Sequence, residues 1–218
     1  MQAVLWDMDG LLVDTEPVWS IAEVELSVAL GGVWTDEIKA LVVGTRLDVA
    51  VPTILHWFGV EPSPARVAEI SGWLLARMAE LFAPAVTVLP GVPELLADLH
   101  AEGVPMALVS SSYRVLVDAV LAHGLGPFEL TLAGDEVGRG KPDPEPYLVA
   151  AAGLGVAATA CVVLEDSPAG VASGLAAGCA VLAVPSVGGV AFTPTARLHV
   201  VPDLRGIDSA FLRTLAAS

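Results

Sequence analysis

Short apolar runs that stop abruptly at polar residues are the feature that most constrains how this chain can fold. Ala3–Trp6 stops at Asp7, and 104–109 stops at three serines. Because these runs are continuously apolar rather than alternating, they are typical of strands covered on both faces, as in a parallel sheet. The predicted strands are 3–6, 104–109, 130–133, 161–164, 180–184 and 198–201.

Helical patterns lie between these predicted strands. The pattern at 92–102 follows Gly91 and precedes Gly103, and both are typical boundary residues. Strands that alternate with helices of this length predict an α/β fold with a doubly wound, Rossmann-like parallel sheet. In such folds ligands bind beyond the carboxyl ends of the strands. Further helices are predicted at 113–123, 144–152 and 169–177.

Residues 16–83 interrupt this alternation, because they show helical patterns and no strand. The length of 218 residues suits one sizeable domain that carries a smaller insert. The predicted domains are therefore an α/β core of residues 1–15 and 84–218 and an inserted α-helical domain of residues 16–83. The helices expected in the insert are 18–30, 36–42, 47–58 and 64–82.

The charge balance restricts the partners that this chain can have. Its net charge is -15, with only 10 Lys and Arg residues. Binding to a nucleic acid needs a basic face that neutralises phosphates, so we expect no nucleic-acid partner. A small phosphorylated metabolite remains possible, since a bound metal can supply the local positive charge.

A long uncharged segment, 167–196, raises the question of a membrane span. It contains three prolines and is rich in Ala and Gly rather than Leu and Ile, so a helix, a turn and a buried strand explain it better. The chain starts with a predicted strand and shows no basic segment typical of a secretory signal. We therefore expect no membrane partner, a cytoplasmic location and a monomer.

Carboxylates follow two of the predicted strands. Asp7 and Asp9 come directly after the first strand, and Glu165 and Asp166 follow the strand at 161–164. Asp and Gly also form ordinary turns, so the first pair alone is weak evidence. If these carboxylates converge at one sheet edge, however, their like charges repel unless a cation or a shared proton relieves the repulsion. Oxygen ligands of this kind suit Mg²⁺, which we predict as the cofactor.

Two further segments fit an anion site at the same edge. Ser110, Ser111 and Ser112 offer hydroxyl and backbone N–H groups where a strand ends and a helix begins, although Ser112 also suits a simple helix cap. Lys141 is stiffened by nearby prolines. Alone it would be a surface lysine, but beside carboxylates its ammonium would balance a nucleophile and hold a phosphate oxygen.

Together these segments resemble the four motifs of the haloacid dehalogenase (HAD) superfamily of phosphotransferases. The motifs occur in order and cover the whole chain, and the helical insert is similar to the small helical cap domain of that family. They are Asp7-Met8-Asp9-Gly10, Ser110 after an apolar strand, Lys141-Pro142, and Glu165-Asp166-Ser167 followed by Gly170.

The resemblance implies a role for each core residue. Asp7 would be the nucleophile and form an aspartyl-phosphate. Asp9 would protonate the leaving group and then activate the hydrolytic water. Ser110 and the Ser111 N–H would hold the transferring phosphoryl group, and Lys141 would balance the charge on the nucleophile.

The resemblance also implies a Mg²⁺ site. Asp166 and Asp7 would bind the ion through their carboxylates, and Asp9 through its backbone carbonyl. Glu165 would lie nearby or act through water. The presence of Asp9 argues against the dehalogenase branch, because a halide leaving group needs no acid.

The helical cap should select the substrate. The chain is similar to β-phosphoglucomutase and to sugar-phosphate phosphatases, but Trp19 and Val43 stand where the mutase pattern has His and Lys. We therefore expect a phosphatase of small phosphorylated metabolites, with a sugar phosphate as the favoured class and a phosphomutase as the alternative. The cap loop Gly44, Thr45 and Arg46 is similar to that of the mutases and is a candidate substrate contact.

Other candidate contacts have two interpretations each. Arg46 either reaches the distal part of the substrate or is a solvated arginine at a helix start. Trp19 either stacks on a sugar face or belongs to the cap core. Glu16 and Arg114 either contact substrate or form surface ion pairs of little energetic weight.

Two further functions stay open as less favoured alternatives. A phosphonate hydrolase would need a cap lysine that forms an imine, and the spacing of Lys39, the single lysine of the insert, does not match that pattern. A non-catalytic binding module would be expected to lose the nucleophile or the metal carboxylates. Here Asp7, Asp9, Lys141 and Asp166 are all present.

Overall fold

The computed structural model describes residues 1–42, 45–186 and 192–216. Six of its strands form one parallel sheet, and two short strands form an antiparallel ribbon. In chain order the strands are β1 (Ala3–Trp6), β2 (Val13–Asp14), β3 (Thr87–Val88), β4 (Met106–Val109), β5 (Leu130–Leu132), β6 (Cys161–Glu165), β7 (Ala180–Ala183) and β8 (Leu198–Val200).

The helices of the described residues surround this sheet or lie in the insert. They are α1 (Glu16–Ala29), α2 (Asp36–Val42), α3 (Leu47–Trp57), α4 (Pro64–Phe82), α5 (Val92–Ala101), α6 (Arg114–Leu121), α7 (Glu145–Gly153), α8 (Pro168–Ala176) and α9 (Ser209–Ala216). Single 3₁₀ turns occur at Gly134–Glu136 and Ala158–Ala160.

The strand order of the main sheet is β5-β4-β1-β6-β7-β8. Trp6 lies opposite Leu108 on β4 and Leu164 on β6, so the three central strands end at nearly the same level. The strands β4 and β5 lie on one side of β1, and β6 to β8, which come later in the chain, lie on the other side of β1. Such a reversal of strand order creates a crevice at the carboxyl ends. The predicted doubly wound α/β fold is confirmed.

Burial on both faces explains why the strands are continuously apolar. Val4, Trp6 and Leu164 pack into a core cluster with α5, α6 and α9. Their strand neighbours Leu5 and Val163 point to the opposite face and pack into a second cluster with α7 and α8. Since successive side chains point to opposite faces of the sheet, the residues on both faces of each strand must be apolar.

The predicted strand at 104–109 is shorter in the structure and starts at Met106. The N–H of Val104 donates to the carbonyl of Leu99, so this residue closes the end of α5 instead of joining the sheet. Pro105 has no N–H to donate to a ladder.

Four helices, α1 to α4, occupy the segment between β2 and β3 and match the predicted helical insert. The ribbon of β2 and β3 pairs Val13 with Val88 and Asp14 with Thr87, which brings the two ends of the insert together. Leu74 and Met78 of α4 are buried within this group of helices. The division into a core and a cap domain at residues 15/16 and 83/84 stays a prediction.

The uncharged segment 167–196 folds in its described parts into α8 and β7. Among the helices described, none has both the length and the apolar character that crossing a membrane would require.

Candidate active site

The carboxyl ends of β1, β4 and β6 meet at a cavity of about 600 Å³ between the sheet and the helical insert. Asp7 follows β1, Ser111 follows β4 and Asp166 follows β6, and all three line this cavity. The parallel register sets the strand ends at one level and brings these residues together, although Asp7 lies more than a hundred positions from the other two in the sequence.

Lys141 is the centre of the site. Its side chain is only 3% exposed, and its Nζ lies 2.5 Å from Asp7 Oδ1 and 2.7 Å from Glu165 Oε1. It also donates to the carbonyl of Val109, at 2.9 Å. An ammonium has three N–H donors, so these contacts use all of them and fix its position. The pKa of Lys141 is lowered by burial, but Asp7 and Glu165 outweigh this and raise it well above its usual value.

Glu165 is fully buried and holds Lys141 in place. Its Oε1 accepts from Lys141 and from the Tyr147 hydroxyl, at 2.9 Å. Its Oε2 accepts from the N–H groups of Asp166 and Ser167 and from the Ser167 hydroxyl, at 2.9 to 3.0 Å. These five bonds occupy both oxygens. Glu165 is therefore better suited to position Lys141 and the β6–α8 turn than to coordinate a metal directly.

The first turn of α8 approaches Glu165 closely. Ser167 caps this helix by accepting from the Gly170 N–H at 3.0 Å. A Cβ at position 170 would overlap the Glu165 carboxylate. The glycine that follows the fourth motif is therefore needed for close packing rather than for flexibility.

Asp9 is aimed into the site by two serines. Its Oδ2 accepts from the hydroxyls of Ser110, at 3.0 Å, and Ser112, at 2.9 Å. Its Oδ1 is buried and has no hydrogen-bond partner among the described residues. The Ser110 hydroxyl thus contacts Asp9 here, while it also accepts from the Ser112 N–H at 2.9 Å.

Asp166 is buried near Asp7 and accepts from the Ser186 hydroxyl. Burial, with the neighbouring Glu165 charge second, raises the pKa of Asp166 to about 7. Gly10 has a φ of +80°, and a Cβ there would collide with the Asp166 carboxylate. Ser186 was not predicted as a site residue, although it ends the apolar run of β7 by the same pattern that identified Asp7 and Ser110.

The carboxylates of this site fit a hard divalent cation. Oxygen atoms of Asp7, Asp166 and Glu165 lie within 4.8 Å of one another, and all three residues are buried. Burial raises the pKa of Asp7 well above its usual value, against the opposing charge of Lys141, and Glu165 and Asp166 add to this increase. A single ammonium among four carboxylates leaves excess negative charge, which an oxygen-preferring dication such as Mg²⁺ would neutralise.

The helical insert supplies the other wall of the cavity. Glu16, Trp19, Thr45 and Arg46, all predicted contacts, line it. The Arg46 side chain packs closely against Gly140 of the core. A Cβ at position 140 would lie only 2.6 Å from Arg46 Cδ. The predicted contact Gly44 and the mutase-pattern position Val43 lie outside the described residues. Glu23 and Lys39 also line the cavity and were not predicted as contacts.

Arg114 is placed differently from the expectation of a substrate contact. Its guanidinium binds Glu136 at 2.6 Å and the carbonyl of Thr131 at 3.1 Å, and it pairs with Asp118 at 3.3 Å. It is not among the residues that line the cavity. The structure therefore supports the alternative interpretation, in which Arg114 forms ion pairs at the surface, here with Asp118 and Glu136.

Comparisons with known proteins agree with this geometry. The family model of haloacid dehalogenase-like hydrolases matches residues 1–178. Protein CbbY of Rhodobacter capsulatus is 35% identical, with 85% of this chain and 86% of that protein covered. Hexitol phosphatase A of Escherichia coli (strain K12) is 36% identical, with 83% and 81% covered. The crystal structure of CbbY from Rhodobacter sphaeroides with phosphate has a TM-score of 0.87 at 26% identity, covering 98% of this chain and 99% of that one.

The chain therefore belongs to the haloacid dehalogenase-like hydrolase family, as its four motifs predicted. Phosphatases are among its relatives, and the prediction of an enzyme that hydrolyses phosphoric monoesters is confirmed.

The close packing of α8 on Glu165 can be tested by adding a methyl group. We expect Gly170→Ala to lower the free energy of unfolding by about 1–3 kcal/mol, because the site cannot accept the extra volume. Gly72→Ala is the matched control, since Gly72 is also helical but has open space around its Cα. It should raise stability by about 0.5–1 kcal/mol. Urea unfolding of both variants measures these free energies. An equal change in stability in the two variants would contradict the packing argument.

The burial of Asp166 beside Glu165 predicts a pH-dependent gain in stability when its carboxylate is removed. Its folded pKa of about 7 exceeds the usual 3.8, so stability is lost as the pH rises through 7. In chelator, Asp166→Asn should therefore be about 1–3 kcal/mol more stable than wild type at pH 8, with the gain shrinking toward pH 4. Denaturant unfolding across this range is the measurement. A difference that does not change with pH would refute it.

Proposed function

We propose that this chain is a Mg²⁺-dependent phosphatase that hydrolyses a small phosphorylated metabolite, with a sugar phosphate as the favoured class, through an aspartyl-phosphate on Asp7. The observation that carries the proposal is the buried Lys141, which binds Asp7 and Glu165 beside the carboxylate of Asp166. A carboxylate can approach a phosphate dianion only where cations offset the repulsion, and this site is built around that requirement.

In the proposed first step, Asp7 attacks phosphorus. Lys141 holds Oδ1, which leaves Oδ2 to form the new O–P bond. The bond between phosphorus and the leaving oxygen breaks, and Asp9 gives its proton to that oxygen. Mg²⁺, held by Asp7, Asp166 and the Asp9 backbone carbonyl, would neutralise charge on the phosphoryl oxygens.

In the proposed second step, Asp9 takes a proton from a water molecule that attacks the same phosphorus. The Asp7–phosphorus bond breaks, which releases inorganic phosphate and restores both aspartates. Ser110 and Ser112 position Asp9 through its Oδ2 for both proton transfers. The buried and unpartnered Oδ1 is the oxygen suited to exchange the proton.

The relatives support a sugar-like substrate. One is named hexitol phosphatase A, and a CbbY variant from Rhodobacter sphaeroides is described in complex with xylulose-(1,5)bisphosphate. Trp19 lines the cavity here, and it replaces the histidine of the mutase pattern. We therefore propose hydrolysis rather than phosphoryl transfer between positions of one sugar, and a cytoplasmic monomer as the working form.

The proposal predicts Mg²⁺-dependent release of phosphate that requires Asp7. We expect wild type to hydrolyse members of a panel of hexose, pentose, deoxysugar, polyol and nucleoside monophosphates. Chelator or Asp7→Asn should lower the rate by about 10³-fold or more, because the nucleophile or the neutralising charge is lost. Colorimetric phosphate measurement detects this. Isomerised β-glucose 1-phosphate without release of phosphate would indicate a mutase instead.

Lys141 provides a second test, with a neighbouring cation as control. Lys141→Met leaves Asp7 and Glu165 buried without a counter-charge, and breaking such a pair costs about 3–5 kcal/mol at neutral pH. We expect kcat to fall together with stability. Arg139→Met removes a charge that is 72% exposed and only two residues away, and it should change both by little. Activity retained by a folded Lys141→Met chain would contradict the assigned role.

A further inference from the structure

The cavity wall formed by the helical insert contains a carboxylate oxygen without a partner. Oε2 of Glu23 is inaccessible to solvent and has no hydrogen-bond partner among the described residues. Glu23 nevertheless lines the same cavity as Asp7. A buried acceptor without a donor is costly, and native structures contain few of them. Because Glu23 lines the ligand cavity, a small rotation of its carboxylate would present this acceptor to a ligand that donates.

Lys39 stands beside it on the same wall. Its ammonium pairs with Glu16 and donates to the Ser20 hydroxyl at 3.2 Å. A lysine ammonium has three N–H donors, so one remains after the two bonds described here. Burial raises the pKa of Glu23 to about 7, and the nearby Lys39 charge opposes this increase. The unused acceptor and the unused donor are thus neighbours, and they come from different helices, α1 and α2.

We infer that Glu23 and Lys39 form a hydroxyl-binding subsite, which holds the end of the leaving alcohol remote from its phosphate. The inference rests on the proposed function, because it assumes that the phosphate of the substrate lies at Asp7. A hydroxyl group both donates and accepts, so it satisfies Glu23 and Lys39 together. It also needs no net charge of its own.

Charged groups fit this pair less well. An ammonium would pair with Glu23 but be repelled by Lys39. A second phosphate would pair with Lys39 but be repelled by Glu23 and Glu16. Part of the remaining cap wall is apolar, with Ala50, Ile54 and Leu74, and it can receive the C–H face of a carbon chain, while Thr45 and Arg46 also line the cavity. The subsite therefore selects neutral polyhydroxylated monophosphates.

The test compares ligands of equal carbon length. Calorimetry with the Asp7→Asn chain, which prevents turnover, would measure association constants for glucitol 6-phosphate and for hexyl phosphate in the presence of Mg²⁺. We expect Glu23→Leu to lower the ratio of these two constants by about tenfold or more, since the variant loses the acceptor of a hydroxyl hydrogen bond. Lys39→Met should lower it as well.

Two variants control for altered folding. Glu23→Gln keeps the side-chain size and should lower the ratio less than Glu23→Leu, because a neutral amide oxygen is a weaker acceptor than a carboxylate. Glu61→Gln removes an exposed carboxylate of the insert outside the cavity and should leave the ratio unchanged. Circular dichroism confirms that each variant is folded.

An unchanged ratio in folded Glu23→Leu would overturn the inference. So would tightest binding of 6-aminohexyl phosphate, which would indicate an ammonium subsite, or of hexane-1,6-diyl bisphosphate, which would indicate a second phosphate site. Phosphate release by the wild-type chain is measured separately. A Glu23-dependent preference for the polyol without any release would support the subsite while refuting the proposed phosphatase.

Discussion

The buried ion pairs of Lys141 are the interaction on which the rest of this site depends. One ammonium, 3% exposed, binds carboxylates from two neighbouring strands, Asp7 after β1 and Glu165 at the end of β6. Removing such charges from water is expensive, and the arrangement is tolerable only because each group has several partners. One positive charge does not balance Asp7, Asp9, Glu165 and Asp166, so the same arrangement favours a further cation, for which we propose Mg²⁺.

The strands and helices around the site hold Lys141 in place. The parallel register places the ends of β1 and β6 side by side. Tyr147 from α7 and the capped first turn of α8 fix Glu165, and Gly170 permits the close approach. Because these contacts fix Glu165, they also fix Lys141, which binds one oxygen of Asp7, the proposed nucleophile, and leaves the other oxygen free of this contact. Rigid support of this kind is what positions a nucleophile and a charge for phosphoryl transfer.

The sequence predicted the parts of the site that follow from local pattern and one topological rule. Asp7, Ser110 and Asp166 each end an apolar strand, and parallel strands bring their carboxyl ends to one edge. The ribbon of β2 and β3 was not predicted, because two residues per strand are too short to show a pattern. Tyr147 was missed since its role depends on how α7 packs on β6. Ser186 could have been found, because it follows β7 as Asp7 follows β1.

Side chains on the helices were harder to predict. Arg114 was expected near the substrate, but Glu136 reaches it from a different turn, and a sequence does not show which acid will pair with which base. Glu23 and Lys39 lie on helices whose existence was predicted. Their meeting on one cavity wall depends on the rotation and packing of α1 and α2, which periodicity does not determine.

Direct detection of a phosphorylated Asp7 tests the central claim. The Asp9→Asn chain, which lacks the proposed base for the second step, would be mixed with Mg²⁺ and p-nitrophenyl phosphate, whose leaving group needs no proton from Asp9. The mixture would be quenched in acid and reduced with borohydride before peptide mass spectrometry. The account predicts a phosphoryl adduct that borohydride converts to homoserine at position 7, and none in Asp7→Asn. Phosphate release by wild type with no adduct at position 7, or an adduct at another residue, would contradict it.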